Sequence, residues 1–284
     1  MRLADGRHTP GRMQPVTLVT TVVTAAVLGM ALLTSAGQGA ARLAVRLAAA
    51  ASTLSRQAPA APPSLRDGKY FTGTPAVGAL FYTSASGLGS HFCTASVVDS
   101  PSEDLVITAA HCVSGTGPGQ LAFVPGYHDG QRPYGVWQVT RVFVDQAWAA
   151  GESPDDDVAF LVVKRSGSRS PIQALTGGEN LGTGWDASQP VRVIAYPGSQ
   201  QRPLTCQAHT RPFGSHQMEF DCAGYTDGTS GGPFLARYRA SAGEGTVIGV
   251  IGGFEQGGDT AAVSYSARFG PSVRALYLQA VAGS

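Results

Sequence analysis

Three short segments carry residue types that together can perform nucleophilic catalysis at a carbonyl carbon. His111 stands beside Cys112 at the end of a β-branched run, residues 155–157 are three aspartates before an apolar stretch, and Ser230 lies in the glycine-rich segment GTSGGP. An imidazole takes and returns a proton near neutral pH, and an aspartate can fix its tautomer. A serine in such a turn can attack while free backbone N–H groups stabilise the oxyanion. The three segments together predict acyl transfer.

Each segment taken alone has a plainer interpretation. A single histidine is most often structural, a run of aspartates is commonly a solvated turn or a calcium loop, and a Gly-Ser segment is usually a turn. The serine does not lie in the G-x-S-x-G elbow of the α/β-hydrolases, and no βαβ pattern surrounds it. The chain order His, Asp, Ser is that of the chymotrypsin triad, so the combination is more specific than its parts.

The same segments carry a family resemblance. TAAHC at 108–112, DVAFL at 157–161 and GTSGGP at 228–233 resemble the three signatures of the chymotrypsin-like (trypsin-like) serine peptidases. The resemblance covers roughly residues 74–270 and is strongest to the secreted bacterial branch that includes the V8-like and glutamyl endopeptidases. The segment VIGVIGGF at 247–254 resembles the family's substrate-binding strand.

The resemblance implies a role for each catalytic residue. His111 is expected to act as general base and then as general acid, and Asp157 to orient it. The two preceding aspartates are expected to be solvated. Ser230 is expected to attack the scissile bond and form an acyl-enzyme, with the backbone N–H groups of Gly228 and Ser230 as the oxyanion hole. No cofactor and no metal ion is implied.

Substrate preference is predicted less sharply. Members that prefer Arg or Lys have an Asp six residues before the serine, where this chain has Gly224, and glutamate-preferring members have a pocket His where this chain has Ile251. We therefore expect an apolar or small residue before the scissile bond. Tyr225 and Phe254 fit the core equally well. The residues expected to line the substrate pocket are Gly224, Tyr225, Ile251, Gly252, Gly253 and Phe254.

Activation is expected to differ from that of the animal members. Those enzymes pair a new N-terminus with an Asp just before the serine, but this chain has Thr229 there and no I-V-G-G-like sequence near residues 65–80. We expect removal of the leader, with trimming of residues 42–64, to suffice.

The N-terminal region has the pattern of an export signal. Residues 16–33 are uncharged and apolar, three arginines precede them, and small residues follow. This pattern predicts a signal peptide over residues 1–41 and a secreted protein, with an uncleaved membrane anchor as the alternative. Residues 42–73 are interpreted as a pro-segment or linker. The charge divides in the same way: residues 1–64 carry six arginines and one aspartate, hence +5, and the remainder carries 14 basic and 18 acidic side chains, hence −4.

Export changes the meaning of the four cysteines. In an oxidising compartment they favour two disulfides, with three connectivities open, of which the local pairing is the simplest. A zinc site competes weakly, because no C-x-x-C pair or H-E-x-x-H helix occurs. The family resemblance implies the bond Cys93–Cys112 beside the histidine, and we expect Cys206–Cys222 to join a hairpin in the second half.

The elements that position these residues are predicted to be β-strands. Short β-rich runs are separated by Ser-Gly, Pro-Gly, Asp-Gly and Gly-Gly turns, which favours an all-β sandwich or barrel. Residues 271–281 have helical apolar spacing after a proline and predict a C-terminal helix. The resemblance implies two six-stranded antiparallel β-barrels with the site in their cleft, over residues 74–176 and 177–284. The predicted strands are 77–83, 94–98, 105–108, 137–144, 158–163, 191–195 and 247–251.

The resulting hypothesis is a secreted, monomeric serine endopeptidase that acts on proteins or peptides. The net charge of +1 for the whole chain does not indicate nucleic-acid binding, and a membrane contact would come only through an uncleaved leader. A catalytically silent homologue that binds protein or peptide is the alternative.

Overall fold

The computed structural model describes residues 65–284. The predicted signal peptide, residues 1–41, and most of the predicted linker lie outside the described residues. Of the helices between residues 65 and 284, none combines the length and the apolar character needed to cross a membrane.

The first half of the body contributes seven strands. The predicted strands 105–108 and 137–144 have the predicted bounds. The predicted strand 94–98 overlaps the buried end of a longer strand, Gly87–Val97. The first part of that strand was not predicted because it is largely exposed and lacks an apolar alternation. In chain order the strands are β1 (Lys69–Tyr70), β2 (Val77–Ser84), β3 (Gly87–Val97), β4 (Leu105–Thr108), β5 (Leu121–Pro125), β6 (Trp137–Val144) and β7 (Ala159–Lys164).

Six of these strands close into a barrel in the order β2-β3-β4-β7-β6-β5. All four residues of β4 and the first five of β7 are buried, as expected for β-branched and apolar runs at the centre of a sheet. Their antiparallel register pairs Thr108 with Ala159. The largest fully buried side chains of this half are Leu80, Leu105, Ile107, Leu121, Phe123, Trp137, Phe160, Leu161 and Ile172.

The second half forms one eight-stranded sheet, of which seven strands follow the order β14-β11-β10-β9-β12-β13-β8 and β1 pairs with β10. Its core includes Phe220 and Phe234, whose rings lie 5.5 Å apart. Its strands are β8 (Asn180–Leu181), β9 (Pro190–Ala195), β10 (Leu204–Phe213), β11 (Gln217–Asp221), β12 (Pro233–Arg239), β13 (Glu244–Val250) and β14 (Val263–Ala267).

The all-β fold class with two packed halves is confirmed, and two short strands distinguish the second half from a six-stranded barrel. Strand β1 falls within the predicted linker 42–73 and pairs with the start of β10 at Thr205 and Leu204, on the side that β9 leaves open. Strand β8 runs parallel to β13. Short strands at open edges shield unpaired backbone groups.

Three α-helices lie in the described residues: α1 (Gln146–Gly151), α2 (Gln173–Thr176) and α3 (Pro271–Gly283). Two short 3₁₀ helices span Pro154–Asp156 and Phe254–Gly257. Helix α3 confirms the predicted C-terminal helix and starts at the predicted proline. It buries Val273, Leu276 and Ala280. Its Tyr277 ring lies 5.7 Å from that of Phe160 in β7, so the last element of the chain packs on the first barrel.

Both disulfides pair locally, as predicted. Cys93 in β3 is bonded to Cys112, and Cys206 in β10 is bonded to Cys222, immediately after β11. Their sequence separations are 19 and 16 residues. Loops of this length are worth about 3 kcal/mol each in the chain-entropy account. The first bond anchors the residue next to His111, and the second closes the β10–β11 hairpin.

Candidate active site

His111 and Asp157 form a hydrogen-bonded pair at one end of the first barrel. His111 follows β4 and Asp157 precedes β7, and the antiparallel pairing of these strands brings the two segments together. The His111 ring Nδ1 lies 2.7 Å from Asp157 Oδ2, and the His111 backbone N–H donates to Oδ1 at 2.9 Å. This arrangement fixes the imidazole and leaves Nε2 for proton transfer.

The Asp157 carboxylate is buried and fully engaged. It is 1% exposed, and it accepts a third hydrogen bond from the Gly253 backbone N–H at 2.8 Å. Burying a charge is costly unless such donors replace water. Gly253 comes from the second half of the chain, so both halves of the body hold the carboxylate.

Of the other two aspartates of the run, which were predicted to be solvated, Asp155 is exposed and Asp156 is half-buried. Asp155 accepts from Gln217 Nε2 at 2.6 Å, and Asp156 accepts from Ser153 Oγ at 2.8 Å. The three carboxylates do not form a potential metal-binding cluster in the described part of the chain. The geometry therefore separates one buried, histidine-bound acid from two that face away from the imidazole.

The loop that carries Ser230 is built on glycines with positive φ. Gly228 has φ 92°, and a Cβ there would overlap the Gly198 backbone. Gly231 has φ 80°, and a Cβ there would overlap the Thr108 side chain. Both positions therefore require glycine, for conformation and for space. Thr229, where animal relatives have Asp, is buried and closes the turn by donating from Oγ1 to Thr226 O at 2.7 Å.

Thr94, which the sequence analysis did not identify, ties this loop to the first barrel. It is fully buried. Its backbone N–H donates to Ser230 O at 2.7 Å, and its hydroxyl donates to Gly228 O at 3.1 Å. The hydroxyl also accepts from the Tyr196 N–H at 2.8 Å. The only sequence signal was its position next to Cys93, because a threonine in a strand has no distinctive pattern.

The predicted oxyanion-hole groups have no intramolecular partner. Within residues 65–284, neither the Gly228 N–H nor the Ser230 N–H donates a hydrogen bond, whereas the Thr229 and Gly231 N–H groups donate to Thr226 O and Ile251 O. Unpaired backbone donors in a largely buried turn are uncommon. They are available to bind a carbonyl oxygen that carries developing negative charge.

The serine and the histidine lie on neighbouring segments without a direct hydrogen bond. The Thr94–Ser230 hydrogen bond and the Cys93–Cys112 disulfide link the Ser230 loop to the residue next to His111. In residues 65–284, no hydrogen bond joins His111 to Ser230. Catalytic hydrogen bonds are often long in unliganded sites and shorten when substrate binds.

A cavity of about 900 Å³ opens beside Ser230. Residues 255–261 line it, as do Thr226, Asp227 and Thr229 from the segment that carries Ser230. Residues 255–261 were not predicted as a site, because a Gly-rich loop between two strands has no catalytic pattern. The remaining lining residues are Gly198, Ser199, Tyr225, Ser230, Ile251 and Ser264.

Of the residues predicted to line the pocket, Tyr225 and Ile251 do so. The Tyr225 hydroxyl donates to Val193 O at 3.0 Å, and burial raises the pKa of this hydroxyl, so most of the side chain belongs to the core. Among the described residues, Gly224, Gly252, Gly253 and Phe254 are not part of the lining. Phe254 instead packs against Tyr265 and Phe213, and the Gly253 N–H binds Asp157.

Cys93, His111 and Cys112 have potential metal-ligand atoms within 4.8 Å of one another. The two sulfurs are bonded to each other at 2.01 Å, so neither can act as a thiolate ligand while the disulfide is intact. With the disulfide intact, these three residues are a covalent cross-link beside His111 and not a metal site.

Solved structures similar to this chain include three peptidases. Protease Anisep from Arthrobacter nicotinovorans has a TM-score of 0.64 at 22% identity, over 76% of this chain and 99% of that one. A thermostable serine protease, AL20, from an extremophilic microorganism has 0.63 at 24%, over 74% and 99%. A Glu endopeptidase in complex with MPD has 0.60 at 14%, over 77% and 98%. At these identities the likeness establishes the fold.

No curated protein matches the chain. The family model described as Trypsin matches residues 69–270, which span both halves of the body, the His111–Asp157 pair and the Ser230 loop. The chain therefore belongs to the trypsin family of serine peptidases.

Proposed function

We propose that this protein is a secreted serine endopeptidase that cleaves peptide bonds through His111, Asp157 and Ser230. The observation that carries the proposal is the arrangement around the serine. A buried carboxylate holds the imidazole, and the adjacent loop presents a serine together with two unpaired backbone N–H groups. Acyl transfer needs this combination of base, nucleophile and oxyanion site.

In the proposed reaction, Ser230 Oγ attacks the scissile carbonyl carbon while its proton passes to His111 Nε2. Asp157 keeps the Nδ1–H directed at its own carboxylate and stabilises the imidazolium that forms. The N–H groups of Gly228 and Ser230 bind the oxyanion of the tetrahedral intermediate. His111 then donates the proton to the leaving amine, which leaves an acyl-enzyme on Ser230. Water then attacks the ester carbonyl while His111 Nε2 takes its proton. His111 returns a proton to Ser230 Oγ as the carboxylic acid product leaves.

Secretion is part of the proposal. Two local disulfides within residues 65–284 account for all four cysteines, as is common in exported proteins. The predicted signal peptide agrees with this assignment. We also propose that the chain is a monomer of the secreted bacterial V8-like branch. The likeness to a Glu endopeptidase structure supports that placement only through the shared fold.

A second candidate, a silent homologue that binds peptides, is favoured by one observation. His111 and Ser230 are not hydrogen-bonded to each other in the described residues. A silent homologue would keep the cleft and bind peptides without cleaving them. The two candidates therefore differ in a product that can be measured.

The test is digestion of an unfolded protein substrate, with the products identified by mass spectrometry. The wild type is expected to cleave internal peptide bonds. Ser230→Ala is expected to lose roughly 10⁴-fold or more in kcat/KM. Ser241→Ala removes an exposed hydroxyl outside the site and serves as the matched control. Folded wild-type protein that binds peptides without cutting them would contradict the proposal and support the silent homologue.

A further inference from the structure

Gln217, the first residue of β11, is a buried glutamine that the proposed reaction does not use. Its exposed fraction is 7%. Its Nε2 donates to Pro154 O at 3.0 Å and to Asp155 Oδ1 at 2.6 Å, and its Oε1 accepts from the Phe254 N–H at 3.3 Å. Buried polar groups are normally hydrogen-bonded, but this one joins two segments that lie far apart in the chain.

Both segments that Gln217 binds lead to the Asp157 carboxylate. Pro154–Asp156 is the short 3₁₀ helix that ends immediately before Asp157. Phe254 follows Gly253, whose N–H donates the third hydrogen bond to Asp157 Oδ2. One side chain of β11 therefore fixes the segment that carries the acid relative to the segment that supplies its third donor.

The Gln217 amide also occupies the space where a side chain on residue 253 would lie. A Cβ on Gly253 would be 2.2 Å from Gln217 Oε1, and the Gly253 φ of 80° is in the left-handed region that favours glycine. The residue that donates to Asp157 therefore packs directly against Gln217. A change at Gln217 is passed to the Gly253 N–H and from there to the carboxylate.

An amide side chain satisfies both sides of this contact. Pro154 O and the Asp155 carboxylate need a donor, whereas the Phe254 N–H needs an acceptor, and a glutamine carries both. A glutamate would place a second negative charge against Asp155, and a leucine would leave all three groups without this partner. His216 Nδ1 lies 3.2 Å from Asp155 Oδ2, so two adjacent residues hold the 3₁₀ helix.

We propose that Gln217 is a positioning residue of the active site, which aligns the Gly253 N–H on Asp157 and thereby holds the His111 imidazole. The proposal rests on the function proposed above. The carboxylate stabilises the imidazolium only while it is held in line with His111 Nδ1. Within the described residues, neither Gly253 nor Phe254 lines the cavity beside the serine, so loss of Gln217 is expected to slow the chemical step more than it weakens substrate binding.

Two substitutions in the full chain test the proposal by steady-state kinetics. Gln217→Glu keeps the shape of the side chain, and Gln217→Leu removes all three hydrogen bonds. Each is expected to lower kcat about 10- to 50-fold and to change KM by less than about threefold. Gln138→Glu, at an exposed position of β6, is the matched control and is expected to leave both constants unchanged.

A second substitution at Asp155 provides a rescue that a loss of packing cannot produce. When Gln217→Glu is combined with Asp155→Asn, the new amide can donate to the new carboxylate, so the hydrogen bond forms again with its polarity reversed. We expect the double variant to have a kcat roughly fivefold above that of Gln217→Glu, and Asp155→Asn alone completes the double-mutant cycle.

Three results would overturn the inference. The first is a kcat within about twofold of the wild type in both Gln217 variants. The second is a lower melting temperature without a lower kcat of the folded protein, which would show a purely structural role. The third is a double variant as slow as Gln217→Glu.

An NMR signal separates this inference from the proposed function. The proton between His111 Nδ1 and the buried Asp157 carboxylate gives a low-field resonance, assigned by its absence in His111→Ala. Both Gln217 variants are expected to shift or broaden it, and Gln138→Glu to leave it in place. If the wild type cleaves no peptide but the signal responds, the positioning role stands and the proposed function fails. Cleavage that the Gln217 variants retain in full, with an unchanged signal, overturns the positioning role and leaves the peptidase intact.

Discussion

The two sides of the active site are held in place by different kinds of interaction. On the first barrel, Asp157 fixes His111 through a side-chain hydrogen bond and a backbone hydrogen bond, and the Cys93–Cys112 bond anchors the neighbouring residue. On the second half, Ser230 is positioned by backbone conformation, with Gly228 and Gly231 at positive φ. The proposed base, His111, is therefore held by side-chain interactions, whereas the proposed nucleophile, Ser230, is held by the backbone conformation of its loop.

This difference explains what the sequence could predict. The segments around His111, Asp157 and Ser230 carry the family signatures, and both disulfides pair as expected from their short spacing. The apolar strand β4 and the mixed strand β6 have the predicted bounds. These features depend on residue types that are close in the chain.

The features that the sequence did not reveal depend on contacts distant in the chain. Thr94 binds Gly228 across 134 residues, and the Gly253 N–H reaches Asp157 across 96. Residues 255–261, which line the cavity, lie on the loop between β13 and β14. Gly253 was predicted to line the pocket, but its N–H donates to the Asp157 carboxylate. Such roles follow from the packing of the two halves.

Substitution of Asp157 tests the side-chain interactions that hold His111, and it has the largest expected effect in this series. Asp157→Asn replaces an acceptor of three hydrogen bonds with an amide whose NH₂ cannot accept one. We expect kcat to fall roughly 10⁴-fold at neutral pH, because the imidazole loses its tautomer and orientation. Steady-state kinetics on a peptide substrate measure this loss.

Asp156→Asn is the matched control, since it removes a carboxylate from the same run whose partner is Ser153. Its kcat is expected to stay within about twofold of the wild type. Comparable losses in the two variants would show that the acidic run acts as a whole and not through one residue.

Substitution of Thr94 tests how the backbone conformation of the Ser230 loop is held. Thr94→Val keeps the shape but removes the hydroxyl that donates to Gly228 O and accepts from the Tyr196 N–H. The oxyanion turn is then less firmly held, so we expect kcat to fall about 10- to 100-fold with little change in KM.

Thr94→Ser retains the hydroxyl and is expected to restore most of the activity. The melting temperature of each variant is compared with its kcat. A purely structural role would lower stability and leave the kcat of the folded fraction unchanged, which would contradict a positioning role for Thr94.

Glu179, at the contact between the two halves, allows a test with a smaller expected effect, the pH dependence of stability. Glu179 is fully buried there: its backbone pairs with Val97 and Asp99 of the first half, and one side-chain oxygen accepts from the Gly245 N–H. Burial raises its pKa from 4.5 to about 8. The folded protein therefore holds a proton that the unfolded chain releases above pH 4.5. This contribution to stability is complete below pH 4.5 and declines as the pH rises towards 8.

Glu179→Gln removes this titration and keeps the side-chain shape. Between pH 5 and pH 9, we expect the wild type to lose roughly 2 to 5 kcal/mol more unfolding free energy than the variant. Urea denaturation at both pH values measures the difference, with Asp186→Asn as a control that keeps the wild-type decline. Parallel stability curves for wild type and Glu179→Gln would refute a buried, proton-bound Glu179.

The most direct test of the account is covalent labelling of the nucleophile. Folded full-length protein is treated with a fluorophosphonate, and the adduct is located by mass spectrometry. We expect a single adduct on Ser230, formed much more slowly in His111→Ala and absent in Ser230→Ala. Unlabelled Ser230 in folded wild-type protein, or an adduct on another serine, would contradict the assignment of His111, Asp157 and Ser230 as a catalytic triad.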